Sequence, residues 1–356
     1  MITPLAAIIS LLIGSYAPEG EPSIGICTFD TATATFTPVG ESRGITSPSY
    51  IAANADGTRA YAVSELNNLD AALYAMAVSP DRKSLSVINS VPTAGASPCY
   101  VWLSPDGKAA VTANYTGGSI SIFPIAADGS LDTPRVIPFA GGTPGSRRQA
   151  SSHLHCVFPS PDGRFLFAND LGTDRIYQFR IVSKNGRFDL EPAAVPYVQL
   201  PAEEGPRHAV FHPDGRFAYL LGELSGRVCR LSYNPQTCLT PVDFTVADPL
   251  HAQGSGDIRI TPDGSLLFAS NRLQGDGVAT FAVDPATGAL TPLAYTPTDV
   301  HPRNLFVTPD GTCLLVASRD GNSVRAYRIT GQADAPLSLL PSYYKFTRPV
   351  CITPLP

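Results

Sequence analysis

The sequence predicts an all-β fold, a seven-bladed β-propeller, and three observations predict it. A turn of the form Pro-Asp-Gly or a close relative recurs with its aspartate at Asp56, Asp106, Asp162, Asp214, Asp263 and Asp310, at intervals of 47 to 56 residues. Apolar or alternating runs flank each turn, as Ala209 to Phe211 and Phe217 to Leu221 flank Asp214. No long run shows the 3.6-residue period of a helix. A repeat of about 50 residues holding four short strands is a propeller blade rather than a unit of a helical solenoid.

Each element has a physical reason. In the turn, Pro fixes φ, Asp can bond the backbone that follows it, and Gly accepts a positive φ, so the repeated unit is a hairpin. After each turn comes a comparable segment: Val63 to Leu66, Thr112 to Tyr115, Ala168 to Leu171, Leu221 to Leu224, Ser270 to Arg272 and Ala317 to Asp320. A seventh copy, Ile13 to Tyr16, opens the chain with no turn before it. Its missing inner strand stands at the other end, where Arg348-Pro349-Val350 resembles Pro98-Cys99-Tyr100 and Pro206-Arg207-His208. The last blade is therefore expected from both termini, closing the ring and hiding the sheet edges. The expected unit is one domain over residues 1–356.

Composition excludes several classes. With 44% hydrophobic residues the chain can bury a large core, and Gly 30 with Pro 34 implies many turns. A net charge of -5 gives no basic field to hold nucleic acid or an anionic membrane, so an anionic ligand needs a local cluster. Seven scattered cysteines without a C-x-x-C pair read as buried reduced thiols, and a cytoplasmic protein, monomeric, is expected. The apolar run Met1 to Ile13 lacks a basic n-region and is too short to span a bilayer, and is read as strand.

The channel mouth is where ligands are expected, between the loops entering each inner strand and leaving its neighbour. A 15-residue offset pairs Tyr50 with Glu65, Tyr100 with Tyr115, His155 with Asp170, His208 with Glu223, Asp257 with Arg272 and Asn304 with Arg319. Arg207, Arg272 and Arg303 offer planar forks for phosphate or carboxylate, and His155 and Glu223 suit proton transfer. Expected substrate contacts are His153, His208, Asp170, Arg303, Asn304 and Tyr50. His212 is expected as a solvated turn residue, and His251 and His301 as loop residues without a nameable partner. Gly40-Glu41-Ser42-Arg43-Gly44 matches G-x-S-x-G without the strand-to-helix turn that the motif needs. No metal or nucleotide motif is present.

These residues resemble one family over nearly the whole chain: the seven-bladed lactonases that include 6-phosphogluconolactonase of the cycloisomerase-2 type and the carboxymuconate lactonising enzyme. The resemblance rests on Gly14-Ser15-Tyr16, Ser47 to Tyr50, Arg148-Gln149, His153-Leu154-His155, Asp170 to Asp174, Gly205 to His208, Gly222-Glu223-Leu224, Ser270-Asn271-Arg272 and Pro302-Arg303-Asn304. It implies hydrolysis of 6-phosphoglucono-1,5-lactone, a phosphorylated sugar lactone, without metal or organic cofactor. It also implies His155, Arg207, Arg272 and Glu223 as catalytic positions. Gly222 departs from the asparagine common there. Another acidic lactone, such as a carboxymuconolactone, and a non-catalytic ligand-binding propeller are the alternatives.

Overall fold

The computed structural model describes residues 8–18 and 20–356. Of the apolar N-terminal run, Met1 to Ala7 lie outside the described residues, and the remainder belongs to the strand Ile8–Ser15. The described residues form seven four-stranded antiparallel sheets and no helix. Six sheets follow chain order. The seventh takes Pro349–Leu355 as its inner strand, then Ile8–Ser15, Ile24–Asp30 and Thr35–Ser42. Inner strands touch in cyclic order, and Pro349–Leu355 reaches Ile51–Ala53 of the first blade, so the ring closes.

The burial patterns explain the strand sequences. Second strands lie between neighbouring sheets, so Ala109–Asn114 and Cys313–Ser318 are buried at every position and need no alternation. Between blades five and six, Phe268 and Val278 pack on Leu305, Leu314 and Val316. All seven cysteines are buried and free.

The repeated turns join inner to second strands on the face away from the mouth. At Asp106, Ser104 Oγ donates to the carboxylate at 2.6 Å and accepts from Ala109 N at 2.9 Å. The turn glycines have φ of 67° to 76°, a left-handed conformation that a side chain would strain. His212 takes the place of Ser104 in blade four, accepting from Asp214 N at 3.2 Å. It is buried rather than solvated, because the next blade's turn lies over it: a Cβ on Gly264 would fall 2.3 Å from His212 Nε2.

The closing blade depends on seven C-terminal residues. Ser10 pairs with Leu355 and Gly14 with Cys351, and both Leu11 and Ile13 are fully buried. Deleting residues 345–356 is expected to leave the inner edge of Ile8–Ser15 unpaired, expose that surface and abolish cooperative melting. Calorimetry checks it: a truncated chain that melts like the full one would contradict closure by both termini.

One irregularity positions the site. Six of the seven inner strands lose register with their second strand at the mouth, which places Cys99, His155, Arg207, Gly256 with Asp257, Arg303 and Val350 on bulges. A bulge re-aims side chains that a regular pleat would send to opposite faces. Consecutive residues such as Arg207 and His208 consequently both line the channel.

Candidate active site

Glu223 is the hub. It follows the second strand of blade four, where its backbone N–H donates to Gly205 O at 2.8 Å, and its side chain is almost wholly buried. Arg207 Nε donates to Oε2 at 2.9 Å, Arg148 Nη2 to Oε1 at 2.5 Å, and Arg272 Nη2 lies 3.4 Å from Oε2. His155 Nε2 stands 3.7 Å from Oε2. The four residues expected as catalytic, His155, Arg207, Arg272 and Glu223, thus meet in one cluster, and Arg148 joins them.

The arginines are held rigidly. Arg207, 1% exposed, also donates to Gly256 O at 2.5 Å, and Arg272 donates to Gly254 O at 2.8 Å and Ser255 O at 2.9 Å. Arg272 Nη1 donates further to His301 Nε2 at 3.2 Å, while His301 Nδ1 faces Asp320 at 3.2 Å. His301 therefore has a partner that spacing could not show.

Three guanidiniums around one carboxylate leave a surplus of positive charge. Burial pushes the Glu223 carboxyl up, but Arg272, Arg207 and Arg148 outweigh it and hold the group at about 2. Glu223 is therefore a permanent carboxylate, which corrects the expectation that it could serve as an acid. Burial, and repulsion from Arg207 and Arg303 that Glu223 only partly offsets, bring Arg272 down to about 9. Burial, then Arg207, His208 and Arg303, drive His155 well below its ordinary value, so its imidazole is neutral.

A second layer lies deeper in the channel. His208 Nδ1 donates to Asp257 Oδ1 at 2.7 Å, and its Nε2 is buried without a partner among the described residues. Burial and Arg207 lower His208 to about 4, and Arg259 and His208 overcome burial to hold Asp257 at about 2. Tyr50 stacks on Tyr100 at 4.1 Å. Arg303 Nη2 donates to Tyr16 Oη at 2.7 Å, and Tyr16 in turn to Glu65 at 2.8 Å, a chain linking blades six, seven and one.

Two expected substrate contacts are corrected. Asp170 is fully buried and its carboxylate is filled by Ser152 Oγ, His153 N, Gly172 N and Thr173 Oγ1 at 2.6 to 2.9 Å. It fastens the loop that carries His153 and His155. Asn304, 1% exposed, donates to Asp257 at 2.6 Å and accepts from Ile352 N at 2.8 Å, binding blade six to blades five and seven. His153 stacks on Tyr115 at 4.5 Å and remains half-buried at the mouth. Arg319 is turned onto Asp320 at 2.8 Å. Gly222 also has its reason, since a Cβ there would fall 2.6 Å from the backbone and carboxylate oxygens of Glu204.

A cavity of about 560 Å³ adjoins the cluster, lined by Arg147, Arg148, Gln149, Glu203, Leu224 and Leu273 among others. That size suits a small metabolite. Among the described residues, no three His, Cys, Asp or Glu are grouped to hold a metal ion.

The buried groups fix a pH response. Folded His208 and His301, held at about 4 and 3, stay neutral below pH 6.5 while the unfolded chain takes up protons there. Stability is therefore expected to fall as pH drops from 6.5 to 4. It falls again from about 4 to 2, where unfolded carboxyls protonate but Glu223 and Asp257 do not. Melting temperatures across pH 7.5 to 3 check this, and a flat profile down to pH 4.5 would contradict neutral buried histidines.

Comparison with known proteins covers the same residues. The family described as lactonase, 7-bladed beta-propeller, matches residues 10–354. The 6-phosphogluconolactonase of Bacillus subtilis is 28% identical over 355 residues, spanning 96% of each chain. A solved structure of a candidate 6-phosphogluconolactonase from Bacteroides fragilis is 38% identical with a TM-score of 0.94, covering 100% of this chain and 99% of that one. The periplasmic gluconolactonase of Pseudomonas aeruginosa is 29% identical with a TM-score of 0.90, covering 98% and 99%.

Proposed function

The chain belongs to the seven-bladed β-propeller lactonase family, and from that premise we propose that it hydrolyses 6-phospho-D-glucono-1,5-lactone to 6-phosphogluconate in the oxidative pentose phosphate pathway. The observation that carries the reading is the cluster itself: one carboxylate under three guanidiniums, beside a neutral imidazole. Relatives named as 6-phosphogluconolactonases support the substrate.

Opening a δ-lactone with water needs a base, an oxyanion site and a proton for the leaving oxygen. In this scheme His155 takes a proton from the attacking water as its oxygen bonds to the lactone carbonyl carbon. The charge that develops on the carbonyl oxygen falls to the guanidiniums, whose surplus over Glu223 is already in place. The ring C–O bond then breaks, and the His155 imidazolium returns its proton to the departing oxygen, which becomes the C5 hydroxyl. Glu223 stays ionised throughout. It fixes the arginines and, 3.7 Å from His155 Nε2, favours the transient imidazolium. The steps use side chains and water alone.

We place the reaction in the cytoplasm, where phosphorylated sugars are made, and seven free buried thiols agree with a reducing compartment. We take a monomer as the working unit. Unphosphorylated glucono-1,5-lactone is the second reading, favoured by likeness to the Pseudomonas aeruginosa gluconolactonase. Freshly made 6-phosphogluconolactone, with product read through 6-phosphogluconate dehydrogenase, tests the proposal. Formation above the spontaneous rate is expected, with glucono-1,5-lactone the poorer substrate. No acceleration of either lactone would reject it.

A further inference from the structure

Positive charge at the mouth occurs in two different conditions. At the floor, Arg148, Arg207 and Arg272 are all engaged by Glu223, and the last two by backbone carbonyls as well. Arg303 is engaged by Tyr16. At the rim Arg147 is exposed and, among the described residues, has no hydrogen bond, ion pair or ring contact.

Arg147 sits on the longest connection between blades. Residues 139–153 separate the strand ending at Pro138 from Leu154, fifteen residues where the other blade-to-blade connections have three to eight. The loop is nonetheless fixed, both to its neighbours and within itself. Gln149, 4% exposed, donates through Nε2 to Leu171 O and Asp174 Oδ1, both at 2.8 Å. Thr143 N donates to Gln149 O at 2.6 Å and Ser146 N to Thr143 O at 3.0 Å.

This anchoring aims donors at one space. Ser146 Oγ accepts from Gln149 N at 3.1 Å, which leaves its hydroxyl proton free to donate. Thr143, Ser146 and Arg147 all line the 560 Å³ cavity that Arg148 connects to Glu223. Gly141, Gly142 and Gly145, with φ of 127°, 131° and 84°, shape the turn and bring no side chain of their own. Glu203 also lines the cavity and would repel an anion brought close to it, which leaves Arg147, Ser146 and Thr143 as the donors able to hold a phosphate there.

We propose that Thr143, Ser146 and Arg147 form the phosphate subsite, so that this loop selects a phosphorylated sugar lactone over its unphosphorylated counterpart. The inference rests on the lactonase reading above and assigns the far end of the substrate. It replaces the expectation that Arg207, Arg272 or Arg303 holds the phosphate, because Arg207 and Arg272 are engaged by Glu223 and backbone carbonyls and Arg303 by the Tyr16 hydroxyl. A guanidinium fork with two hydroxyls matches the acceptor oxygens of a phosphate monoester.

The test compares wild type with Arg147→Ala on both lactones. The ratio of kcat/KM for 6-phosphogluconolactone to that for glucono-1,5-lactone is expected to fall about 10- to 100-fold, the range for losing one charge-assisted bond. Calorimetric titration with 6-phosphogluconate reads the subsite without turnover, and a weakening in the same range is expected. An unchanged ratio and unchanged product affinity would overturn the subsite. Wild-type protein that binds 6-phosphogluconate through Arg147 yet opens neither lactone would reject the lactonase reading while keeping the subsite.

Discussion

Glu223→Ala is expected to remove measurable turnover and to lower the unfolding free energy by about 3–5 kcal/mol, the range for leaving buried charges without their partner. Arg207 and Arg272 are 1% and 4% exposed, so little water reaches them to replace the lost carboxylate. Arg148 can, because its side chain is 35% exposed. The loss therefore falls on two guanidiniums at close quarters, and Arg272 is already pushed down by its neighbours. Glu223→Gln keeps the volume but leaves the same charges unmatched, and it should lose most of the same stability. Denaturant unfolding measures both. A Glu223→Ala protein as stable as wild type would show that the carboxylate does not hold the arginines together.

His155→Gln is expected to lower kcat about 10²- to 10⁴-fold, the usual contribution of a general base. Glutamine retains polarity and approximate volume, but its amide cannot take up a proton. Because His155 is neutral and only 3.7 Å from Glu223, its removal leaves no unmatched charge, and stability should change far less than in Glu223→Ala. The contrast separates the two roles: one residue moves a proton, and the other holds the apparatus. Wild-type kcat in a folded His155→Gln protein would assign the base elsewhere, with His208 and its unpartnered Nε2 the next residue to test.

The fold was legible because turn chemistry repeats. Pro, Asp and Gly recur for local reasons, and the unpaired copies at Gly14 and Pro349 disclosed the closing blade. The central residues were legible for the same reason, since Glu223 and Arg272 follow the second strands of blades four and five, and Arg207 and Arg303 follow the proline that begins the inner strands of blades four and six. Asp170 was misread where that periodicity falters. Pro98, Pro206 and Pro302 begin their inner strands, but blade three begins at Leu154, and without the proline its pairing was set one residue off. The structure pairs Leu154 with Asp170 as it pairs Pro206 with Gly222, so Leu171 rather than Asp170 corresponds to Glu223.

Other features were not legible in the repeat. Arg148 lies in an inter-blade loop with no counterpart in the repeat, so its approach to Glu223 depends on how Gln149 pins that loop. His301 meets Arg272 only because adjacent blades bring them together. The acid role read for Glu223 rested on residue type alone, whereas three arginines converging on it hold the carboxylate ionised near neutral pH.

The central claim is that the lactone is opened against the Glu223 cluster, and a crystal structure with bound 6-phosphogluconate tests it most directly. The product carboxylate is predicted within hydrogen-bond distance of at least one of Arg148, Arg207 and Arg272, with His155 beside it and the phosphate toward Arg147. Product lodged instead on the opposite face, in the 420 Å³ cavity between the turns of Asp56 and Asp106, would contradict the account.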